Sequence, residues 1–182
     1  MTTLVGLGGY AYAGKDAVAD VLEDHGWFRT YMSSPLERAL VTLNPFIEYD
    51  RGFFPTRYAE FHKQVGYSKS KRHPEVRRLL QSLGTEVGRD ILGKDVWLNA
   101  VFKQVEEAKP RPAAVTGIRY HNELDRIRSE GGVAVWVSRP GYGPINGHSS
   151  DNTLGPQDFD LVLHNNGTLD DLAQTVLDSG LL

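Results

Sequence analysis

The stretch LVGLGGYAYAGKDAVADVL, residues 4–22, decides how the rest of the chain is read. Leu4 to Gly8 form an apolar run of strand length, a glycine-rich turn follows, and from about Lys15 to Asp24 the apolar Val18, Val21 and Leu22 recur at helical spacing. Gly9, Gly14 and Lys15 therefore stand in the order Gly-x-x-x-x-Gly-Lys between a strand and a helix. Backbone N–H groups of such a turn, gathered at the positive end of a helix, can cradle phosphate oxygens, and Lys15 can reach the β and γ phosphates of a nucleotide. The competing reading is a tight strand-to-helix turn with a solvated lysine; the placement directly after a strand favours the phosphate loop. Gly9, Ala11, Ala13, Gly14, Lys15, Asp16 and Ala17 are then the residues expected to hold the phosphates. Asp16 occupies the position usually taken by a serine or threonine that touches magnesium. It can hold Mg2+ directly or through water, as a hard oxygen donor, or it can act as a charge favoured by the helix dipole.

With 182 residues, 40% of them hydrophobic, the chain can bury the core of one ordinary domain, so disorder is not the default. It has no cysteine, which rules out disulfides and thiolate metal sites, and no histidine pair has metal-ligand spacing. The N-terminal residues lack the basic flank and cleavage site of a signal peptide, and no later run is long enough for a membrane span, so a soluble, cytoplasmic protein is expected, with no membrane partner. A net charge of −3 argues against a duplex-binding surface, and no nucleic-acid partner is expected. Charge is unevenly placed: basic residues outnumber acidic ones from Arg51 to Arg89, whereas Asp151 to Leu182 has six aspartates and neither lysine nor arginine. A small anionic ligand belongs with the middle of the chain.

Further along, Trp27 to Ser33 reads as a second strand, and Ser34 as the N-cap of a helix with Pro35 at its first position. Asn44 to about Arg57 reads as an irregular excursion, followed by helical segments to Lys109 that break near GYSKSKRHP and LGKD. Ala113 to Ile118, Val133 to Ser138 and Leu161 to His164 are strand candidates; Asn122 to Ser129 is a helix between the first two, and Thr168 with Asp171 forms a capping box for a closing helix. This alternation predicts a parallel sheet. Arg139 to Asp158 is too rich in glycine, proline and polar residues for a regular element, and a loop of that length is usually functional or disordered.

In HPEVRRLLQSLGTEVGRDILG, Leu80, Leu83, Val87 and Ile91 recur at helical spacing, while Arg78, Gln81, Thr85 and Arg89 repeat the same steps two residues out of phase. The spacing predicts a helix with its leucine side inward and two arginines and a glutamine along the other face. That face is either a plain solvated surface or the grip for a monophosphate. Arg119, just past a strand, is a phosphate contact or the partner of Glu123; Arg139, just past the next, is an arginine that closes over transferring phosphate or an ordinary turn residue. His148 reads as solvent-facing.

The blocks GKDAVADVL, SSPLERALVTLNP, RRLLQSLGTEVGRD, IRYHNELDRIRSEGG, RPGYGPINGHSSD and LHNNGTLDDL, in this order over nearly the whole chain, resemble the deoxynucleoside monophosphate kinases of bacteriophages. The resemblance implies an α/β fold of three layers, the P-loop nucleoside monophosphate kinase fold, with a parallel sheet flanked by helices, a helical acceptor-binding region and a lid loop. It implies one kinase domain over residues 1–182, with a core at 1–33, 110–138 and 159–182, an acceptor-binding region at about 34–109 and a lid at about 139–158. It implies transfer of the ATP γ-phosphate to a deoxynucleoside monophosphate with Mg2+, in the host cell cytoplasm if the gene is carried by a phage. Small-molecule nucleotides are the implied partners; a homodimer is compatible with the sequence. Position by position, Lys15, Arg119 and Arg139 fall to catalysis, Arg38, Arg78, Gln81 and Arg89 to the acceptor, Trp97 to the base, and Asp16 to the metal. Asp after the loop lysine matches the family, whereas Ala17 stands where a hydroxyl residue often follows and Gly117 where an acid is often found. Two other readings remain: a P-loop kinase of another small acceptor, such as a cofactor precursor, and a nucleotide-binding protein without catalysis.

Overall fold

The computed structural model describes residues 2–48, 55–144 and 153–182. The chain divides into two compact units, one made of Met1–Met32 with Phe102–Leu182 and the other of Ser33–Val101. No helix among the described residues is long and apolar enough to cross a membrane.

The first unit is built on five parallel strands: β1 (Leu4–Gly8), β2 (Phe28–Tyr31), β5 (Ala113–Ile118), β6 (Val133–Ser138) and β7 (Leu161–His164), in the spatial order β2-β5-β1-β6-β7. Every residue of β1 is buried, as its apolar run requires for a central strand covered on both faces. Alternation along that strand divides its two faces. Val5 and Leu7 join Val18, Ala19 and Leu22 of α1 (Lys15–Asp24) and Leu172 and Val176 of α8 (Leu169–Asp178) in one apolar cluster. Gly6 and Gly8 face the other way: a Cβ on Gly6 would stand 2.8 Å from Ile127 of α7 (His121–Ser129), and one on Gly8 would overlap the Phe159 ring. Helices therefore pack on both faces, giving the three layers expected. Thr168 accepts from the Asp171 backbone N–H at 3.2 Å while the Asp171 carboxylate accepts from that of Thr168 at 2.8 Å, so the predicted capping box opens α8.

One position in the sheet changes the meaning of a sequence feature. The β1–β5 register pairs Leu7 with Thr116 but Gly8 with Ile118, so Gly117 is the extra residue of a bulge, with φ +84°. A Cβ there would have room, its nearest neighbour being the Met32 nitrogen at 4.0 Å. The backbone angle, not space, selects glycine.

The second unit contains α2 (Ser34–Leu43), a two-strand antiparallel pair, β3 (Phe46–Ile47) with β4 (Thr56–Arg57), then α3 (Tyr58–Val65), α4 (Tyr67–Ser70), α5 (Pro74–Gln81), a π-helix (Ser82–Leu92) and the start of α6 (Val96–Glu107). Leu40, Ile47, Tyr58, Phe61, Val76 and Leu80 form its core. The cap of α2 falls one residue earlier than the sequence suggests: Ser33 is the N-cap and Ser34 is a buried helical residue. The excursion read as irregular contains the β3–β4 pair, with residues 49–54 lying outside the described residues.

The larger departure is the π-helix. Leu80 is buried as predicted, but Val87 is 40% and Ile91 74% exposed, and the buried position is Gly88. An i→i+5 helix turns each residue through less than the 100° of an α-helix, so the apolar face counted at α-helical steps drifts out of the core after Ser82. Its cause is visible in the packing. The Trp97 indole N–H donates to the Gly84 carbonyl at 2.9 Å, and Gly88 lets the ring lie against the helix where a Cβ would come within 2.3 Å of Nε1. A side chain that takes a carbonyl from the α-helical ladder favours the wider turn.

Candidate active site

The β1 strand delivers the chain to a loop that local sterics shape. Gly9 has φ +137°, and a Cβ on it would lie 2.5 Å from the Val137 carbonyl of β6. Gly14, the N-cap of α1, has φ +109°, and Tyr12 at the loop apex is left-handed at φ +64° and 70% exposed. The Ala13 N–H donates to the Tyr10 carbonyl at 3.2 Å, and the Tyr10 ring stands edge-on to Trp136 at 5.1 Å. Lys15 turns back over the loop: Nζ donates to the carbonyls of Gly9 at 2.8 Å and Tyr10 at 2.6 Å. Its charge is thus held inside the curl of the loop, where the first N–H groups of α1 also converge without intrahelical partners. This arrangement can bind an oxyanion.

Arg119 follows β5 by one residue and Arg139 follows β6 by one, and these are the two strands that flank β1. The sheet therefore brings the loop and both arginines to its carboxyl edge, where open α/β sheets bind their ligands. Both arginines are exposed. The guanidinium of Arg139 lies 5.0 Å from the centre of the Tyr142 ring. Glu123 is buried and accepts from the backbone N–H of Arg119 at 2.7 Å and of Tyr120 at 3.2 Å, so its carboxylate ties down the turn that carries Arg119. In the segment read as a lid, residues 145–152, including His148, lie outside the described residues; beyond them Leu154 is buried and Pro156–Asp158 form a short 3-10 turn, more regular than its composition suggests.

Asp16 sits in the first turn of α1 with its side chain 82% exposed and Oδ1 3.1 Å from Arg29 of β2. Arg29 also bonds Asp20, so it anchors the flank of α1. Among the described residues no three histidine, aspartate or glutamate side chains gather as a metal site. Magnesium at a polyphosphate needs fewer protein donors, since it keeps waters and takes phosphate oxygens, and one exposed carboxylate beside the loop fits that demand. Gly117 supplies no acid, and at φ +84° it takes a backbone angle that glycine adopts without cost.

In the second unit, Arg38 lies on the exposed side of α2, Arg78 and Gln81 on the exposed side of α5, and Arg89 on the exposed side of the π-helix. The single row of arginines and glutamine holds within α5 only, because the α-helical step ends at Gln81. Trp97 is half-buried against Gly84 and Gly88. A polar cluster without a local sequence signature also lies here. His62 Nε2 lies 2.6 Å from Glu37 Oε1, and burial pushes the Tyr67 hydroxyl up to about 12, with a hydrogen bond to Ser33 acting against it. In the first unit Asn165 is buried, and Nδ2 donates to the Ala13 carbonyl at 2.9 Å. Its flanking strand end and capping box were legible, but a lone asparagine carries no local sign of a contact made across the fold.

Comparison with known proteins gives the same direction. The family described as deoxynucleotide monophosphate kinase matches residues 54–176, more than half of the chain, a stretch that begins after the loop. A putative deoxynucleotide monophosphate kinase of Acanthamoeba polyphaga mimivirus is 25% identical over 96% of this chain and 94% of its own length. The deoxynucleotide monophosphate kinase of Enterobacteria phage T4 is 29% identical over 53% of this chain and 42% of its own. Among solved structures, the dephospho-CoA kinase from Campylobacter jejuni superposes with a TM-score of 0.53 at 8% identity, over 97% of this chain and 95% of that one. A gluconokinase from Sinorhizobium meliloti gives 0.50 at 14%, over 97% and 90%. At those identities the two structures speak for the P-loop kinase fold alone. With the loop seated at the carboxyl edge of a parallel sheet and the family's pattern matched over residues 54–176, this chain belongs to the deoxynucleotide monophosphate kinase family.

Proposed function

We propose that the chain transfers the γ-phosphoryl group of ATP to a deoxynucleoside monophosphate, with the loop from Gly9 to Ala17 holding the donor and the exposed arginines of the second unit holding the acceptor. The family match supports the reaction class. The observation that carries the donor assignment is the Lys15 ammonium drawn into the loop by two carbonyls. In the reaction an oxygen of the acceptor phosphate attacks the γ-phosphorus, the bond from that phosphorus to the β–γ bridging oxygen breaks, and ADP leaves. The protein needs no nucleophile of its own, since positioning and charge stabilisation provide most of the acceleration. Lys15 and Arg139 neutralise charge on the transferring group, and Arg119 lies at the same sheet edge for a second contact. Asp16 would hold Mg2+ through an oxygen or a bound water, and the ion would supply further neutralisation of the phosphates. The half-buried Trp97 would offer a ring edge to the acceptor base, and Arg38, Arg78, Gln81 and Arg89 would grip its phosphate.

The test is acceptor-resolved kinetics. ADP formation should appear with deoxynucleoside monophosphates and not with sugars or cofactor precursors; the reverse pattern would assign the chain to another class of small-acceptor kinase, and no turnover at all would leave nucleotide binding without catalysis. Arg78→Ala and Arg89→Ala should each raise the KM for the monophosphate roughly tenfold to a hundredfold, as follows from about 1.5–3 kcal/mol per charged hydrogen bond, with the KM for ATP little changed. Equal weakening of both substrates would remove these arginines from the acceptor site.

A further inference from the structure

Asn165 stands one residue past β7 and is only 5% exposed, in a place where the reaction asks for no polar side chain. Its Nδ2 donates to the Ala13 carbonyl at 2.9 Å, and its own backbone N–H donates to the Ser138 carbonyl at 2.7 Å. A Cβ on Gly14 would come within 2.6 Å of Nδ2, so the carboxamide lies directly against the loop. We infer that Asn165 is a positioning residue for the phosphoryl donor: by holding the Ala13 carbonyl it fixes the Ala13–Gly14 peptide plane and turns the Gly14 N–H toward the phosphates. This rests on the reading of the loop as the ATP site.

The geometry follows from the peptide itself. A trans peptide is planar, with C=O and N–H pointing in opposite directions, so anchoring the Ala13 oxygen on the protein side sends the Gly14 hydrogen the other way. Among the described residues the Gly14 N–H donates to no backbone carbonyl, which leaves it available to a ligand. Only the nitrogen of the carboxamide can face a carbonyl oxygen, because the amide oxygen is an acceptor only. The clamp matters here because Gly14, at φ +109°, has the conformational freedom that lets a peptide plane flip. Burial matters as well, since water cannot readily replace a donor that solvent does not reach. The second bond extends the effect. Ser138 immediately precedes Arg139, so Asn165 also orients the peptide from which that arginine departs.

Asn165→Asp is the sharpest test. The side chain keeps its shape, but at neutral pH an acceptor replaces the donor and repels the Ala13 oxygen. Its KM for ATP should rise at least tenfold and that of Asn165→Ala by less, with the KM for the monophosphate within about twofold of the native value in both. A merely structural asparagine would lower the melting temperature and leave the ATP KM unchanged, and that result, or a parallel rise for both substrates, overturns the inference. Should the aspartate variant not fold, the alanine variant decides. A second measurement uses the native protein: the Gly14 amide resonance should move on titration with ADP, and an unmoved resonance counts against the proposal even if the kinetics agree. Lys15→Met separates the two levels. If that variant retains activity, the loop is not the donor site; if it is inactive while the Asn165 variants match the native enzyme, only the role of Asn165 fails.

Discussion

Lys15→Met is expected to abolish phosphoryl transfer while the protein still folds. The methionine keeps the length and apolar stem of the lysine but removes the charge in the loop that lies within reach of a β–γ bridging oxygen. In the structure that ammonium is already inside the loop, donating to Gly9 and Tyr10. Binding a polyphosphate would therefore ask the lysine to exchange carbonyl oxygens for phosphate oxygens at short range, with no large movement of the backbone. Charge stabilisation of this kind is usually the largest single contribution to such a reaction, so a fall in kcat/KM of at least about 10³ is expected. Loss of its bonds to the two loop carbonyls should also lower the melting temperature by a few degrees, on the scale of about 1.5–3 kcal/mol for hydrogen bonds to a charged group. Steady-state ADP formation with circular dichroism melting reads both effects. A variant within about tenfold of the native rate, a barrier change of only about 1.4 kcal/mol, would remove the loop from the chemistry.

Arg139→Ala should lower kcat strongly while both KM values stay within a few-fold. The residue leaves the carboxyl end of β6, directly beside the strand that delivers the loop, and among the described residues its guanidinium lies over the ring of Tyr142. An arginine held by one ring in solvent loses little when it turns to another partner. It is therefore placed to meet charge that develops only as the phosphoryl group moves, and arginines acting in this way contribute on the order of 10³–10⁵ in rate in related phosphoryl-transfer enzymes. Removing a group that acts only in the transition state lowers kcat and kcat/KM together. Arg139→Lys should recover part of the loss, since charge remains but the planar two-pronged donor does not. If Arg139→Ala instead raised the KM for ATP with kcat intact, the side chain would be a ground-state contact.

The sequence by itself determined the elements whose causes are local. An apolar pentapeptide, a glycine turn and three apolar residues at helical spacing specify β1, the loop and α1, because strand, turn and helix preferences there depend on neighbours within a few positions. The capping box of Thr168 and Asp171 is local for the same reason. Right-handed crossover between such units then leaves few ways to arrange a parallel sheet, which is why the carboxyl edge with Arg119 and Arg139 could be anticipated. Tertiary structure decided what depends on approach from a distance. Periodicity alone cannot reveal that Trp97 takes a carbonyl from the helix before it, so the α-helical face predicted through Ile91 ends at Gln81 and the turn widens from Ser82. Gly117 reads as a missing acid until pairing with β1 shows it to be the extra residue of a bulge. Asn165 is silent in sequence because its partner, the Ala13 carbonyl, is 152 positions away and is a backbone group that any residue would offer. Local chemistry specifies where a loop forms; only packing against the rest of the sheet specifies which way its peptides point.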